Sequence, residues 1–328
     1  MPHPTTTSDR STERISTKPV AWIPYEPKEL PELPDGLECH FWNGTDLYPT
    51  APEDVRFLTG FPGAGGYESL FAAVSRTTRL DVLQVLSSGY DYLVPHLDTL
   101  PPGTRVCTGQ GVHAEATAEL GVTLLLASAR GVPRFAQRQR TGTWTPAVHT
   151  TLRGKRVMVV GQGAVGSAVA KRLEPFGCDV VRTARTARTG PGGPVVHGAA
   201  DLPALLPTVD AVVLCAPLTE ETRGLFDASR LALLKDGAIL VNIGRGELVD
   251  TGALTHEVTS GRLRAALDVT DPEPLPSGHP LWRQPEVLLT PHVGAFTDAF
   301  ADDSVAFLVR QLHRYARGED LANTVLVR

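Results

Sequence analysis

The chain has 328 residues, of which 42% are hydrophobic and 20% are charged, and its formal net charge is -5. At roughly 150 residues per domain this length suggests two domains, and the composition excludes fibrous and wholly disordered classes. A net negative charge provides no basic field, so we expect no nucleic-acid partner. The cysteines Cys39, Cys107, Cys178 and Cys215 lie far apart. We therefore expect no disulfide framework, no metal site and a reducing, cytoplasmic compartment.

Residues 1–17 are polar and contain only Met1 and Ile15 as sizeable apolar residues. Because a signal peptide needs an apolar segment, we expect none here and predict a disordered leader instead. No apolar run reaches the roughly 18 residues that a membrane span needs, so we also expect no membrane partner.

Between residues 19 and 109, short apolar runs alternate with turn residues. This pattern predicts strands at 20–25, 37–42, 55–58 and 80–86 and a helix over 66–79, which is typical of an α/β unit. A long apolar helical pattern follows over 112–142, with a break or restart at Pro133. We expect this helix to be buried between two bodies, as a domain hinge or a subunit contact.

From residue 155 onward, continuous apolar runs end in turn or polar residues. These runs are KRVMVV (155–160), CDVVRTA (178–184), DAVVLCAP (210–217), GAILVNIG (237–244), RAALDVT (264–270) and EVLLTPH (286–292). Parallel strands that are covered by helices on both faces have this composition. The region therefore predicts a parallel sheet with crossover helices, followed by a final helix at about 297–317.

Gly161, Gly163 and Gly166 form a G-x-G-x-x-G turn between a predicted strand and a predicted helix. In that context the glycines allow a tight turn, the approach of a pyrophosphate and close helix packing, and the helix N-terminus stabilises the phosphate charge. The sequence thus predicts a dinucleotide-binding site.

The next predicted strand ends at Ala184, where NAD-binding proteins carry an acidic residue that binds the ribose 2′-hydroxyl. Arg185 and Thr186 follow, with Arg182 and Arg188 nearby. A guanidinium donates paired hydrogen bonds to a 2′-phosphate. The segment therefore predicts NADP(H) over NAD(H); the alternative is a solvated arginine-rich loop.

Polar residues follow three later strands, at the sheet edge where open α/β sheets bind ligands. Arg245 stands between two glycines in VNIGRGELVD, Asp268 and Glu273 lie in ALDVTDPEPLP, and His292 follows a proline in LLTPHVG. Taken singly, each has a non-catalytic explanation: Arg245 as a turn cap, Glu273 as a solvated loop acid and His292 as a structural histidine. Together they predict a catalytic site.

In these motifs and their order, the chain resembles the D-isomer-specific 2-hydroxyacid dehydrogenase family, closest to its NADPH-dependent glyoxylate/hydroxypyruvate reductases. The resemblance extends over nearly the whole chain after the leader and includes SSGYDYL (87–93), EATAELGVTLLL (115–126), APLTEETRGLF (216–226) and HPLW (279–282). It implies a Rossmann-type, doubly wound coenzyme domain over residues 110–295. It also implies a smaller, flavodoxin-like substrate domain over residues 18–109 and 296–328, a cleft between the domains and a homodimer.

The resemblance also implies roles for individual residues. Arg245 binds the carboxylate and carbonyl oxygen of a 2-oxo acid, and the backbone N–H groups of Ser88 and Gly89 bind its carboxylate. His292 protonates the carbonyl oxygen, and Glu273 orients the imidazole and favours its protonated form. Asp268 orients the nicotinamide carboxamide. The other residues implied to line the cofactor are Ala164, Val165, Ala216, Pro217, Thr222, Ile243, His292 and Gly294.

The expected reaction is the reduction of a small 2-oxo acid, similar to glyoxylate or hydroxypyruvate, to the D-2-hydroxy acid by hydride transfer from NADPH. Two alternatives stay open. A phosphite-type oxidoreductase keeps the same catalytic residues, and a non-catalytic NAD(P)-sensing corepressor uses the same fold without turnover. Formate oxidation is disfavoured because formate dehydrogenases carry glutamine at the position of Glu273.

Overall fold

The computed structural model of the chain describes residues 18–60, 66–189 and 193–328. The predicted leader, residues 1–17, lies outside the described residues. The chain divides into two compact units. Of the described residues, the first unit holds 18–60, 66–84, 96–107 and 308–328, and the second holds 85–95, 108–189 and 193–307. The second unit thus includes the loop at 85–95. The predicted domain boundaries at residues 109 and 296 stay a prediction.

The strands and helices of the described residues are numbered in chain order. The strands are β1 (Val20–Ile23), β2 (Glu38–Phe41), β3 (Val55–Gly60), β4 (Val82–Val85), β5 (Arg105–Cys107), β6 (Arg156–Val160), β7 (Asp179–Thr183), β8 (Arg188–Thr189), β9 (Val195–His197), β10 (Ala211–Leu214), β11 (Ile239–Asn242), β12 (Arg264–Leu267), β13 (Val287–Leu289) and β14 (Thr324–Val327). The helices are α1 (Gly66–Arg76), α2 (Ala114–Ala129), α3 (Val132–Arg140), α4 (Ala164–Leu173), α5 (Leu202–Leu205), α6 (Ala228–Ala232), α7 (Thr251–Thr259) and α8 (Phe300–Ala316).

The first unit is built on a six-stranded sheet in the order β14-β5-β4-β3-β1-β2. Apart from β14, which is antiparallel to β5, this is the flavodoxin-like order 2-1-3-4-5, as predicted. The C-terminal half of α8 covers the sheet, and its Leu308 and Leu312 join Ile23 and Phe57 in one hydrophobic core. The final helix therefore returns to the N-terminal sheet.

The second unit contains an eight-stranded sheet in the order β13-β12-β11-β10-β6-β7-β9-β8. Its strands are parallel except for β8, which is antiparallel to β9. Alternate residues of one strand face different cores: Met158 belongs to the core with α5, α6 and α7, and Val159 to the core with α2 and α4. Burial on both faces explains the continuous apolar runs. The doubly wound Rossmann prediction is confirmed, and the strand order reverses between β6 and β10.

The long apolar helical pattern forms two helices, and the break lies where Pro133 predicted it. Gly131 adopts the left-handed conformation, with φ 67° and ψ 24°, and Pro133 stands in the first turn of α3. Residues of α2 such as Leu124 and Leu125 are buried in the core of the second unit, in the same cluster as residues of α4. The apolar character of α2 is thus explained by packing inside the chain. It gives no separate support for a subunit contact.

The sequence did not predict β5 or β14, which form one antiparallel pair. It also did not predict β8 and β9, which pair antiparallel after the arginine-rich segment; residues 190–192 lie outside the described residues. Within the described ranges, no helix combines the length and the apolar character that crossing a membrane requires.

Candidate active site

The glycine turn connects β6 to α4 at the point where the strand order reverses. Gly161 has a φ of 98°, and a Cβ on it would lie 2.7 Å from the backbone nitrogen of Ala216. A Cβ on Gly166 would lie 1.8 Å from the carbonyl oxygen of Gly161. Gly163 has open space at its Cβ position, and α4 begins at the next residue, Ala164. A close-packed turn that opens at a helix N-terminus fits the pyrophosphate of a dinucleotide.

The residues after β7 were predicted to distinguish NADP from NAD. Ala184 donates its N–H to the carbonyl oxygen of His197 at 2.9 Å, while Arg185 and Thr186 are exposed. The hydroxyl of Thr219 holds the pKa of Glu221 below its ordinary value, and the charge of Arg185 contributes to this shift. Arg185 therefore lies within electrostatic reach of an acidic side chain.

The two neighbouring arginines are placed differently. Arg182 is only 16% exposed and forms an ion pair with Glu174 at 2.8 Å, so it is already engaged. Arg188 is exposed, and its Nη2 donates to the carbonyl oxygen of Gln162, within the glycine turn, at 3.3 Å. Arg185 and Arg188 are therefore the arginines that remain for a 2′-phosphate.

Other predicted cofactor residues shape the walls of the site. Thr222 donates its hydroxyl to the carbonyl oxygen of Pro217 at 2.7 Å and thereby fixes the loop after β10, and Ala216 is buried. Val165 and Ile243 pack with the core beneath the site. A Cβ on Gly121 would lie 2.6 Å from Cδ1 of Ile243, so this side chain contacts the backbone of α2.

Cys215 adjoins the glycine turn, and burial raises the pKa of its thiol to about 12. It is therefore a packing residue and not a thiolate nucleophile at neutral pH. Within residues 18–60, 66–189 and 193–328, no group of three or more His, Cys, Asp or Glu side chains is arranged to hold a metal ion.

Arg245 follows β11 and is fixed by contacts on both its main chain and its side chain. Its carbonyl oxygen accepts a hydrogen bond from Asn242 Nδ2 at 2.7 Å. Its Nε donates to Asp91 Oδ1 at 3.1 Å and its Nη1 to the carbonyl oxygen of Gly244 at 2.8 Å. Nη2 lies against Gly89, where an added Cβ would come within 1.8 Å of it. The structure thus brings Arg245 and Gly89 together.

The loop that carries Ser88 and Gly89 is stabilised by its own side chains. The Ser87 hydroxyl donates to the carbonyl oxygen of Gly89 at 2.8 Å, and its oxygen lies 2.9 Å from the hydroxyl of Tyr92. Ser88 is exposed. No role was predicted for Ser87, Tyr92 or Asp91. The only sequence signal for Asp91 was its place as the acidic residue in the SSGYD motif, two residues after Gly89.

His292 follows β13 and forms an ion pair with Glu273. Its Nδ1 lies 2.6 Å from Glu273 Oε1, and the two side chains are 47% and 42% exposed. His292 has a φ of 53°, which is uncommon for a residue other than glycine. Its backbone N–H donates to the carbonyl oxygen of Asp268 at 2.8 Å. Because Glu273 engages Nδ1, Nε2 is the ring nitrogen left to meet a ligand.

Asp268 is buried, with 3% of its surface exposed, and it holds the loop that carries His292. Its Oδ1 accepts from the Thr290 hydroxyl at 2.6 Å and from the Val293 N–H at 2.9 Å, and its Oδ2 accepts from the Gly294 N–H at 3.0 Å. These contacts stabilise the left-handed turn. The role of Asp268 towards a carboxamide stays a prediction.

These residues share one edge of the sheet. Arg245, Asp268 and His292 follow β11, β12 and β13, which are parallel neighbours, and the glycine turn follows β6 in the same direction. Carboxyl ends of parallel strands meet at one edge, where ligands of doubly wound sheets bind. A dinucleotide turn and an acid–base pair at this edge can support hydride transfer coupled to proton transfer.

Comparisons with known proteins agree with this arrangement. Residues 122–294 match the family model for the D-isomer specific 2-hydroxyacid dehydrogenase, NAD binding domain. Glyoxylate/hydroxypyruvate reductase B of Citrobacter koseri is 36% identical over 316 residues, which cover 91% of this chain and 96% of that protein. The glyoxylate reductase/hydroxypyruvate reductase of Homo sapiens is 33% identical over 250 residues, or 74% of this chain and 76% of that protein.

A solved structure supports the same relationship. The D-isomer specific 2-hydroxyacid dehydrogenase from Xanthobacter autotrophicus Py2, crystallised in complex with NADPH and MES, superimposes with a TM-score of 0.74 at 34% identity. The match covers 89% of this chain and 91% of that chain.

Proposed function

Because the chain belongs to the D-isomer-specific 2-hydroxyacid dehydrogenase family, we propose that it uses NADPH to reduce a small 2-oxo acid to the D-2-hydroxy acid. It is an NAD(P)-dependent dehydrogenase, and the reductase activity named for its relatives supports glyoxylate or hydroxypyruvate as the substrate type. The observation that carries the proposal is the 2.6 Å contact between His292 Nδ1 and Glu273 Oε1. An acid–base pair of this kind serves proton transfer and is not needed for binding alone.

The catalytic side chains divide the work of binding and proton transfer. Glu273 fixes the orientation of the imidazole by its contact with Nδ1, and Nε2 of His292 donates the proton to the carbonyl oxygen. Arg245 binds the carboxylate and stabilises the negative charge that develops on that oxygen. The backbone N–H groups of Ser88 and Gly89 bind the carboxylate. When bound, the cofactor supplies the hydride that C2 accepts.

The preference for NADPH is supported by the end of β7. Ala184 supplies no carboxylate to accept a ribose 2′-hydroxyl or to repel a 2′-phosphate, and the exposed Arg185 and Arg188 are near. Arg188 is held against the glycine turn by its bond to Gln162, which keeps its charge beside the cofactor site. A 2′-phosphate carries almost two negative charges and accepts bidentate hydrogen bonds from guanidinium groups.

The proposal is tested by steady-state oxidation of NADPH with glyoxylate, hydroxypyruvate and bulkier 2-oxo acids. We expect turnover of the small acids, and D-glycerate as the product from hydroxypyruvate. Oxidation of phosphite with NADP⁺, run in parallel, tests the phosphite-type alternative. NADPH binding without turnover of any acid would contradict the proposal and favour a sensing protein.

The proposed enzyme is a cytoplasmic homodimer. The dimer is supported by an exposed apolar segment after α3, in which Trp144 is 98% and Val148 101% exposed, because such side chains mark interaction sites when they cluster. The reducing compartment is supported by four free cysteines. Light scattering of the purified chain tests the dimer, and a monomer at micromolar concentration would contradict it.

A further inference from the structure

The segment over residues 270–276 carries Glu273 and has few backbone donors of its own. Pro272, Pro274 and Pro276 have no N–H group, so the segment cannot be fixed by a regular backbone ladder. Apart from the Thr270 hydroxyl, which donates to the carbonyl oxygen of Pro272 at 2.9 Å, its position depends on contacts from outside the segment. The side chain of Leu275 provides one of these, because it is buried in the core of the second unit.

Two side chains from flanking elements bind carbonyl oxygens on either side of Glu273. The hydroxyl of Thr251, the first residue of α7, donates to the carbonyl oxygen of Asp271 at 2.7 Å. The indole N–H of Trp282 donates to the carbonyl oxygen of Pro276 at 2.9 Å. The bonds therefore enclose Glu273 from the N-terminal and C-terminal sides.

The same segment lies directly against the loop that carries Arg245. A Cβ on Gly246 would lie 2.0 Å from the carbonyl oxygen of Thr270, so only glycine allows this approach. A small cavity of about 10 Å³ beside this contact is lined by Gly246, Thr251, Thr270 and Leu281 among others. Thr251 therefore lies next to the segment of Glu273 at the point where that segment meets the loop of Arg245.

We infer that Thr251 is a positioning residue for the Glu273–His292 pair. Its hydroxyl fixes the Asp271 carbonyl and so holds the Glu273 carboxylate at hydrogen-bonding distance from the imidazole. The kinetic consequence of this inference rests on the proposed function, but the structural consequence does not. His292 contacts Glu273 through its ring and Asp268 through its backbone N–H, and the hydroxyl of Thr251 bonds to the segment that carries Glu273.

The test compares the ring-nitrogen resonances of His292 by NMR at one fixed pH, with the signals assigned by their loss in His292→Ala. Glu273→Gln gives the resonance positions of a ring that has lost its carboxylate partner. In Thr251→Val we expect the Nδ1 resonance to move part of the way from the wild-type position to that of Glu273→Gln, because the segment that carries the carboxylate loses a hydrogen bond. Thr251→Ser keeps the hydroxyl and should give the wild-type resonances.

Thr255→Val is the matched control. Thr255 lies one turn further along α7, and its hydroxyl donates to the Thr251 carbonyl oxygen at 2.6 Å, so the variant loses a comparable bond without touching the Glu273 segment. Asp250 caps the helix by accepting from the Ala253 N–H at 2.9 Å, and both variants retain that cap. The inference is overturned if Thr251→Val keeps the wild-type Nδ1 resonance of His292, or if Thr255→Val moves it equally.

Trp282→Phe acts from the other side of Glu273, and it too should move the Nδ1 resonance of His292 towards the position seen in Glu273→Gln. If Thr251→Val does not fold, Thr251→Ala replaces it, and wild-type resonances in that variant overturn the inference. In the kinetic arm we expect Thr251→Val to lower kcat about three- to tenfold with little change in KM for NADPH. Failure of the wild type to turn over any 2-oxo acid would contradict the proposed function but leave the NMR result decisive for Thr251.

Discussion

Replacing Gly89 with alanine tests whether Arg245 acts from the position in which the structure holds it. The new Cβ would lie 1.8 Å from Arg245 Nη2, 2.8 Å from its Cζ and 2.9 Å from Asp91 Oδ1. Ordinary van der Waals contact begins at 3.4 Å. The terminal nitrogen must therefore move by about 1.6 Å, the difference between 3.4 and 1.8 Å. Gly89 is not among the glycines with positive φ, so the backbone itself accepts alanine.

A displacement of this size should impair catalysis far more than folding. Misplacing a catalytic group by about 1 Å costs roughly 10²-fold in rate, so we expect kcat/KM for the 2-oxo acid to fall about 10²-fold in Gly89→Ala. The ion pair with Asp91 that weakens at the same time is partly exposed and contributes only about 0.2–1 kcal/mol to stability. The dissociation constant for NADPH should change less than about twofold, because a twofold change is well under 1 kcal/mol.

The assay combines initial rates over a range of 2-oxo acid concentrations with fluorescence titration of NADPH and thermal unfolding. Gly278→Ala is the control, because this exposed glycine has no atom within 4 Å of its Cβ position and no positive φ. Wild-type kinetics in Gly89→Ala would refute the reasoning, since they would mean that Arg245 does not work from its place beside Gly89.

Three further predictions concern the acid, the carboxylate-binding arginine and the cofactor. His292→Ala should lower kcat by about 10²-fold or more with little change in NADPH affinity; a near-wild-type rate would remove its assignment as the acid. Arg245→Lys should lower kcat and raise KM for the 2-oxo acid, because an ammonium cannot donate the two parallel hydrogen bonds of a planar guanidinium. Unchanged kinetics would place Arg245 outside the reaction. The double variant Ala184→Asp with Arg185→Ala should reverse a preference for NADPH that we expect to be at least about tenfold, as measured by kcat/KM with each cofactor. Arg182→Ala is its control, since that side chain already pairs with Glu174, and a preference unaffected by the double variant would identify the arginines as solvated.

Much of the architecture could be predicted because the information is local. In the second unit the strands predicted from the sequence are largely apolar runs followed by turn or polar residues, so Gly161, Arg245 and His292 could all be assigned to strand ends. Once the strands are parallel, their ends must share an edge. The association of the glycine turn with Arg245, Glu273 and His292 therefore needed no knowledge of side-chain contacts.

The partners of those residues could not be predicted in the same way. Asp91 and Arg245 are 154 residues apart, and nothing in either segment specifies the other. Arg182 looked equivalent to Arg185 in the sequence, yet its side chain extends to Glu174. Such choices depend on rotamers and on which segments fold next to each other, and neither leaves a periodic signal in the chain.

The sequence by itself determined the two α/β sheets and the cofactor turn, because hydrophobic periodicity and glycine positions act over a few residues. The assignment of Glu273 and His292 as an acid–base pair came from the resemblance to the family and stays a prediction. Only the tertiary structure decided that the C-terminal tail pairs with Arg105–Cys107, that Asp268 uses three donors to hold the His292 turn, and that Thr251 supports the segment of Glu273. Short strands and single polar side chains gain their free energy from partners that are distant in the chain. Their positions are fixed only when the whole fold has brought those partners together.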